Sequence, residues 1–197
     1  VKILIATQNQ HKKLEMEAIL RNASVTLLTL KDLNDFDEVT EDGDTFEKNA
    51  SIKASYFGNK HQMYTISDDS GLMVDALNGA PGVHSKRYSS TGLDEDNNQK
   101  LLNSLKYTTN KNATFVSNIC FYDPFLKEEK HFTGRVEGTI LEKPRGTNGF
   151  GYDPLFYIEN YQLTYAEMSN DLKNKVSHRS IALSKFKEAL HEIINHI

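Results

Sequence analysis

Two adjacent carboxylates, Asp68 and Asp69, followed by Ser70 and Gly71, end an apolar run that begins at Tyr64. A strand that closes on paired carboxylates is unusual as solubilising surface. Magnesium takes oxygen ligands in octahedral geometry and often shares them with substrate phosphates. One carboxylate could hold the metal while the other activates water. Side chains of a regular strand alternate between its faces. Both carboxylates therefore reach one site only if the backbone turns, and Gly71 makes a turn plausible. The alternative is a turn with helix-capping carboxylates.

Four further constellations could carry chemistry. Thr7, Asn9 and Lys12, with Glu15 beyond, place a hydroxyl, an amide and an ammonium on a loop entering a helix. Helix N-termini favour anions, so phosphate contact is one reading and a cap with a surface lysine the other. This is no P-loop, because the glycines and the Lys-Ser/Thr pair are missing. Glu41 lies in an acidic loop before a second helix, and Lys53 lies within that helix. The loop NGFGYDPLF sets Phe150 between Gly149 and Gly151, with Asp153 beyond. An aromatic so placed can stack on a base, a contact worth roughly 1–3 kcal/mol, or it can plug the core. Finally, Lys173, Ser177, His178 and Arg179 precede the last helix. Such donors can meet a purine O6 or N7, or simply cap and face solvent. No HExxH pairs a histidine for zinc, and no GxSxG marks a serine nucleophile.

Composition bounds these readings. The 197 residues are 38% hydrophobic and 25% charged, with a formal net charge of −4. That suits one domain with a real core and argues against a general nucleic-acid binder. Cys120 is the only cysteine, which precludes an intramolecular disulfide and, by count, a thiolate zinc site. Within FVSNICFY it reads as a buried, inert thiol. No apolar run is long enough for a signal peptide or a membrane span, so the expected location is cytoplasmic.

The positioning elements follow from periodicity. Strands are expected at Ile3–Ala6, Val25–Leu30, Tyr64–Ser67, Thr114–Tyr122, His131–Leu141 and Leu155–Ile158. The segment DPFLKEEK joins two of them as a hairpin. A first helix should bury Leu14, Ala18 and Ile19. A second should start near Asp44 or Thr45, with Asp44 and Glu47 resembling a capping box, bury Phe46, Ala50, Ala54 and Phe57, and stop at Gly58–Asn59. A third spans Asp94–Lys106. The last buries Leu183, Phe186, Leu190, Ile193 and Ile197. The fold class is α/β with a mixed sheet flanked by helices. Residues 111–159 could form a hairpin lobe facing a main lobe of 1–110 plus 160–197, with a cleft between them.

The chain resembles the inosine triphosphate pyrophosphatases, the Ham1-like family acting on non-standard purine nucleoside triphosphates. The resemblance runs from ATQNQHKKLE through TFEKNASIKA, SDDSGLMVDALNGAPGVHSKRYS and GTNGFGYDPLF to AEMSNDLKNKVSHRSIAL. It implies an elongated mixed sheet, two lobes around a central cleft, and a homodimer. It implies Mg2+-dependent hydrolysis of inosine, deoxyinosine and xanthosine triphosphates to the monophosphate and pyrophosphate, with neither nucleic acid nor membrane as partner. By this likeness Thr7, Asn9, Lys12, Lys53 and Ser70 meet phosphates, and Glu41 and Asp68 hold magnesium. Asp69 is the general base. Phe150, Asp153, Lys173, His178 and Arg179 recognise the base. Two positions depart from the usual pattern: Gln8 stands where many members have glycine, and Lys48 where many have glutamate.

Overall fold

The computed structural model describes residues 1–21 and 23–195. Among these, seven strands form one mixed sheet: β1 (Lys2–Ile5), β2 (Thr26–Thr29), β3 (Tyr64–Val74), β4 (Asn112–Asp123), β5 (Glu128–Ile140), β6 (Phe156–Ile158) and β7 (Leu163–Thr164). Their order is β2-β1-β3-β4-β5-β6-β7. β1 runs parallel to β2 and β3, whereas β6 runs antiparallel to β5 and β7. Parallel neighbours require crossovers. Helices α1 (Gln10–Leu20) and α2 (Phe46–His61) supply them, and α3 (Asp94–Ser104), α4 (Asn170–Val176) and α5 (His178–Asn195) complete the fold.

Two compact units share the chain. The first holds Val1–Asp69, Ser117–Gly134 and the chain from Arg179 onward; the second holds Ser70–Val116 and Arg135–His178. These bounds differ from the expected lobes of 1–110 plus 160–197 and 111–159. The reason is that β3, β4 and β5 each pass from one unit into the other. The chain changes unit inside regular strands, where no linker composition marks the boundary.

In the first unit, Ile3, Ile5, Ile66, Ile119 and Phe121 of the sheet bury against Met16 and Leu20 of α1 and Leu183, Phe186, Leu190 and Ile193 of α5. The α5 stripe is as its spacing predicts; Ile197 lies outside the described residues. The α1 stripe is not. Leu14 and Ala18 are exposed, Ile19 is half-buried, and Met16 and Leu20 face the core. Met16 and Leu20, one turn apart, share the face that meets the core, and Leu14 and Ala18 share another.

For α2 the cap is Thr45, not Asp44: its Oγ1 accepts from the Lys48 N–H at 3.1 Å. Ala50, Ala54 and Phe57 are buried, whereas Phe46 is half-buried. The helix passes through Gly58 and ends at Gln62, whose left-handed backbone donates to the Gly58 carbonyl. Gly58 answers to packing, since a Cβ there would lie 2.6 Å from the Tyr122 ring.

The irregular segment before α2 is pinned by that helix. Lys60 pairs with Asp35 at 2.8 Å and Asp37 at 2.6 Å, and His61 Nε2 lies 2.6 Å from Asp35. Burial opposes the Asp35 charge, yet the Lys60 ammonium, the Asp37 N–H and His61 bring its pKa down to about 2. Gln8, the first departure, adds an amide donor to the Asp35 carbonyl at 3.3 Å. The second unit has its own core of Leu72, Leu101, Leu105, Phe115, Phe156 and Tyr165. Its short elements α4 and β7 carry too few residues to show a period.

Candidate active site

α1 opens the site. The Thr7 hydroxyl accepts from the Asn9 N–H at 3.1 Å, and Asn9 Oδ1 accepts from the His11 and Lys12 N–H groups at 3.0 and 3.2 Å. Thr7 and Asn9 thus shape and cap the helix start. The charge they deliver is Lys12, whose Nζ lies 2.9 Å from Asp68 Oδ2.

Asp68 is fully buried. Its Oδ1 accepts from the Ser117 hydroxyl at 2.5 Å. Its Oδ2 accepts from Arg179 Nη2 at 3.1 Å and Nε at 3.3 Å, besides the Lys12 contact. Arg179, also fully buried, extends its remaining terminal nitrogen to Glu15. Burial penalises the Asp68 charge, but Arg179, Lys12 and Ser117 together outweigh that penalty and hold its carboxyl far below the usual range. Burial likewise opposes the Arg179 charge, and Asp68 and Glu15 reverse the sign and raise it.

The backbone does not turn at Gly71. β3 continues to Val74, so Asp68 and Asp69 obey strand alternation and keep different company. Asp69 sits with Lys53 and Glu41. Lys53 Nζ donates to the Asp68 carbonyl at 2.8 Å, pairs with Glu41 Oε2 at 2.8 Å, and lies 4.0 Å from Asp69 Oδ1. The pKa of Asp69 moves up. Burial is the main cause; Lys53 and Lys12 oppose it, while the Glu41 and Asp68 charges reinforce it. Asp69 Oδ2 is buried and has no hydrogen-bond partner. The Glu41 loop is fixed by Asn49, whose Oδ1 accepts from the Gly43 N–H at 2.8 Å.

An unpartnered, buried carboxylate oxygen beside a second carboxylate suits a hard divalent cation. Glu41 and Asp69 form that oxygen set. Both oxygens of Asp68 already hold donors, and a cation there would have to displace Arg179 or Lys12. Lys48, the second departure, is turned away: it is 64% exposed and pairs with Asp44 at 2.7 Å.

The second unit carries a separate cluster. Lys173 and Asp153 are both buried and paired at 2.7 Å. Asp153 Oδ2 also accepts from the Phe150 N–H at 3.0 Å. The Lys173 ammonium lies 4.9 Å from the centroid of the half-buried Phe150 ring and 5.6 Å from that of Tyr165. Gly149 is required here, since its φ is +75° and a Cβ would lie 2.0 Å from Asp153 Oδ2. Gly151 donates to Asp94 Oδ2 at 2.8 Å, which anchors the loop to α3. His178 is buried and stacks on Phe115 at 4.6 Å between centroids. Phe150, Asp153, Lys173 and His178 therefore share one unit. Arg179 belongs to the other, committed to Asp68 and Glu15. Ser70 is half-buried and begins the second unit. Ser117 and Asn49 escaped the sequence reading; the polar pair Ser117–Asn118 inside an apolar strand was the available signal for the first.

The Asp68–Arg179 pair can be tested by stability. Arg179→Met leaves a buried carboxylate with Lys12 as its remaining cation and should cost roughly 3–5 kcal/mol in urea unfolding. Adding Asp68→Asn should recover much of that loss. An Arg179→Met protein as stable as the parent would contradict the assignment.

Comparison with known proteins identifies the family. The Ham1 family matches residues 3–189. A dITP/XTP pyrophosphatase of Geobacter sulfurreducens is 46% identical over 192 residues, 96% of each chain. One from Listeria innocua is 41% identical, covering 100% of this chain and 98% of its own. Among solved structures, a HAM1 protein from Coxiella burnetii has a TM-score of 0.89 at 36% identity, covering 98% of this chain and 99% of its own. The Staphylococcus aureus Ham1 protein follows at 0.86 and 39%, with the same coverage. With nearly its whole length matched in fold and sequence, this chain belongs to the Ham1 family.

Proposed function

We propose that the protein hydrolyses non-standard purine nucleoside triphosphates (ITP, dITP and XTP) to the nucleoside monophosphate and pyrophosphate, with Mg2+ as cofactor. The observation that carries this reading is the buried, unpartnered oxygen of Asp69 beside Glu41 and Lys53. The base class rests on the relatives named dITP/XTP pyrophosphatase. Such an enzyme would act in the cytoplasm as a homodimer and keep deaminated purines out of nucleic acids.

Glu41 and Asp69 would hold the metal. Bound Mg2+ supplies charge neutralisation and Lewis-acid polarisation of the phosphate. Asp69 takes the proton of the attacking water as its oxygen bonds to the α-phosphorus. The bond from that phosphorus to the bridging oxygen breaks, and pyrophosphate leaves. Lys53 and Lys12 offset the charge of the departing group. Asp68 does not ligate: it holds Lys12 and Arg179 in place. In the second unit, Phe150 stacks on the base, with its ring orientation set by Lys173 and Asp153. A C6 carbonyl accepts hydrogen bonds where adenine has an amino donor, so Lys173 and His178 as donors favour hypoxanthine and xanthine. In this reading Arg179 serves Asp68 and Glu15 instead of the base.

A panel of triphosphates with Mg2+, monitored for pyrophosphate separately from orthophosphate, tests the reaction. Inosine and xanthosine substrates should exceed adenosine and guanosine ones in kcat/KM. Asp69→Asn should lower kcat by roughly 10²–10⁴-fold while the fold is kept. Absence of pyrophosphate from every substrate would overturn the reading. Mg2+ affinity gives a pH test. Protons compete with metal for Asp69, and its raised pKa moves that competition to higher pH. Calorimetric affinity should fall between about pH 8 and about pH 5.5. Equal affinity at both would remove Asp69 from the metal set.

A further inference from the structure

On β4, Asn118 and Cys120 are two residues apart and so share a face; on the neighbouring β5, Glu129 and His131 do the same. The Cys120 thiol, a Glu129 carboxylate oxygen and a His131 ring nitrogen all lie within 4.8 Å of one another. His131 Nε2 is 3.3 Å from Glu129 Oε1, and Cys120 Sγ is 3.9 Å from Glu129 Oε2. Ligand bonds of about 2.0–2.3 Å in a tetrahedron set donor separations of roughly 3.3–3.8 Å. The three donors lie within 4.8 Å of one another, so small side-chain shifts would bring them onto one ion.

Two surrounding features point the same way. His131 Nδ1 faces Asn118 Oδ1 at 2.8 Å, and the Asn118 amide nitrogen donates to Thr133 Oγ1 at 3.0 Å. An amide oxygen accepts, so Nδ1 donates to Asn118, and Nε2 is the ring nitrogen turned toward Glu129 and Ser51. This is the outer-shell device that orients a ligating histidine. A protonated ring donates from Nε2 to Glu129 at 3.3 Å, and a metal ion would take the place of that proton. The site also has an entrance. A surface pocket of about 610 Å³, lined by Asp42, Asp44, Glu47, Ser51 and Glu129 among others, adjoins it. The Ser51 hydroxyl is 3.1 Å from Glu129 Oε1 and 3.2 Å from His131 Nε2, where a fourth ligand or its water would stand.

We propose that Cys120, Glu129 and His131 form a binding site for one Zn2+-like transition-metal ion, distinct in its residues from the Glu41–Asp69 set. Thiolate and imidazole select such an ion over Mg2+, which prefers oxygen. The exclusion drawn from a single cysteine governs sites built of several thiolates. It does not reach one thiolate joined by imidazole and carboxylate from a hairpin, at a spacing no linear motif describes.

The test uses the full chain, freed of metal by chelation, in excess Mg2+. Titration with Zn2+ should show one ion per chain and release of a proton from the buried thiol. Co2+ in its place should give thiolate-to-metal charge-transfer absorption in the near ultraviolet. Cys120→Ala and His131→Gln should each weaken Zn2+ binding by more than about 100-fold, and Asn118→Ala by roughly 10–100-fold. Asp69→Asn should leave it unchanged. Because Cys120 is buried, the partly exposed Glu129→Gln gives a second route, and metal-free melting verifies that each variant folds. A parent that binds no Zn2+, or a Cys120→Ala protein that binds it equally well without loss of the cobalt band, overturns the proposal. His131 and Glu129 would then be a plain ion pair.

Discussion

The carboxylate of Asp68 is withdrawn from water, and the first unit is organised around satisfying it. An isolated buried charge costs several kcal/mol, so its partners must be placed well. To Asp68 on β3 they come from three other elements: Lys12 from α1, Ser117 from β4 and Arg179 from the first turn of α5. Glu15 closes the arrangement by taking the other end of Arg179. α1, β3, β4 and α5 also carry apolar residues of one shared core. Cap, strand and terminal helix are tied at one oxygen pair.

Strand alternation then divides labour between neighbours. One carboxylate is saturated by cations, and its proton affinity falls. The next faces Lys53 and Glu41, keeps an unpartnered buried oxygen, and gains proton affinity. Environments that push two adjacent aspartates in opposite directions separate a structural anion from a reactive one. The pinned loop before α2 completes the second environment, since Lys60, His61 and Asn49 fix the segment that presents Glu41.

Much of this was legible in the sequence, and the failures have physical causes. The α5 stripe and the hairpin are visible because long elements repeat their period several times. The buried face of α1 is not legible because Leu14, Ala18 and Ile19 offer one apolar set and Met16 and Leu20 another on so short a helix. Gly58 looked like a stop, although a ring packed against it explains the glycine. The pair Asp68–Asp69 was recognisable as chemistry, but its expected turn at Gly71 is absent. Which of the two is free depends on Ser117 and Arg179, 49 and 111 residues away in the chain. No local pattern encodes that distance. The lysine–aspartate–aromatic cluster of Phe150, Asp153 and Lys173 was nearer to legible, because Gly149 and Gly151 announce the loop that Asp153 holds.

The division between the two aspartates is the centre of the account, and magnesium titration of Asp68→Asn and Asp69→Asn at neutral pH tests it most directly. Asp69→Asn should keep its melting temperature and lose magnesium affinity. Asp68→Asn should lose stability, as Arg179 and Lys12 are left without their counter-charge, while the folded fraction still binds the metal. The reverse pattern, with magnesium lost from Asp68→Asn and retained by Asp69→Asn, would contradict it.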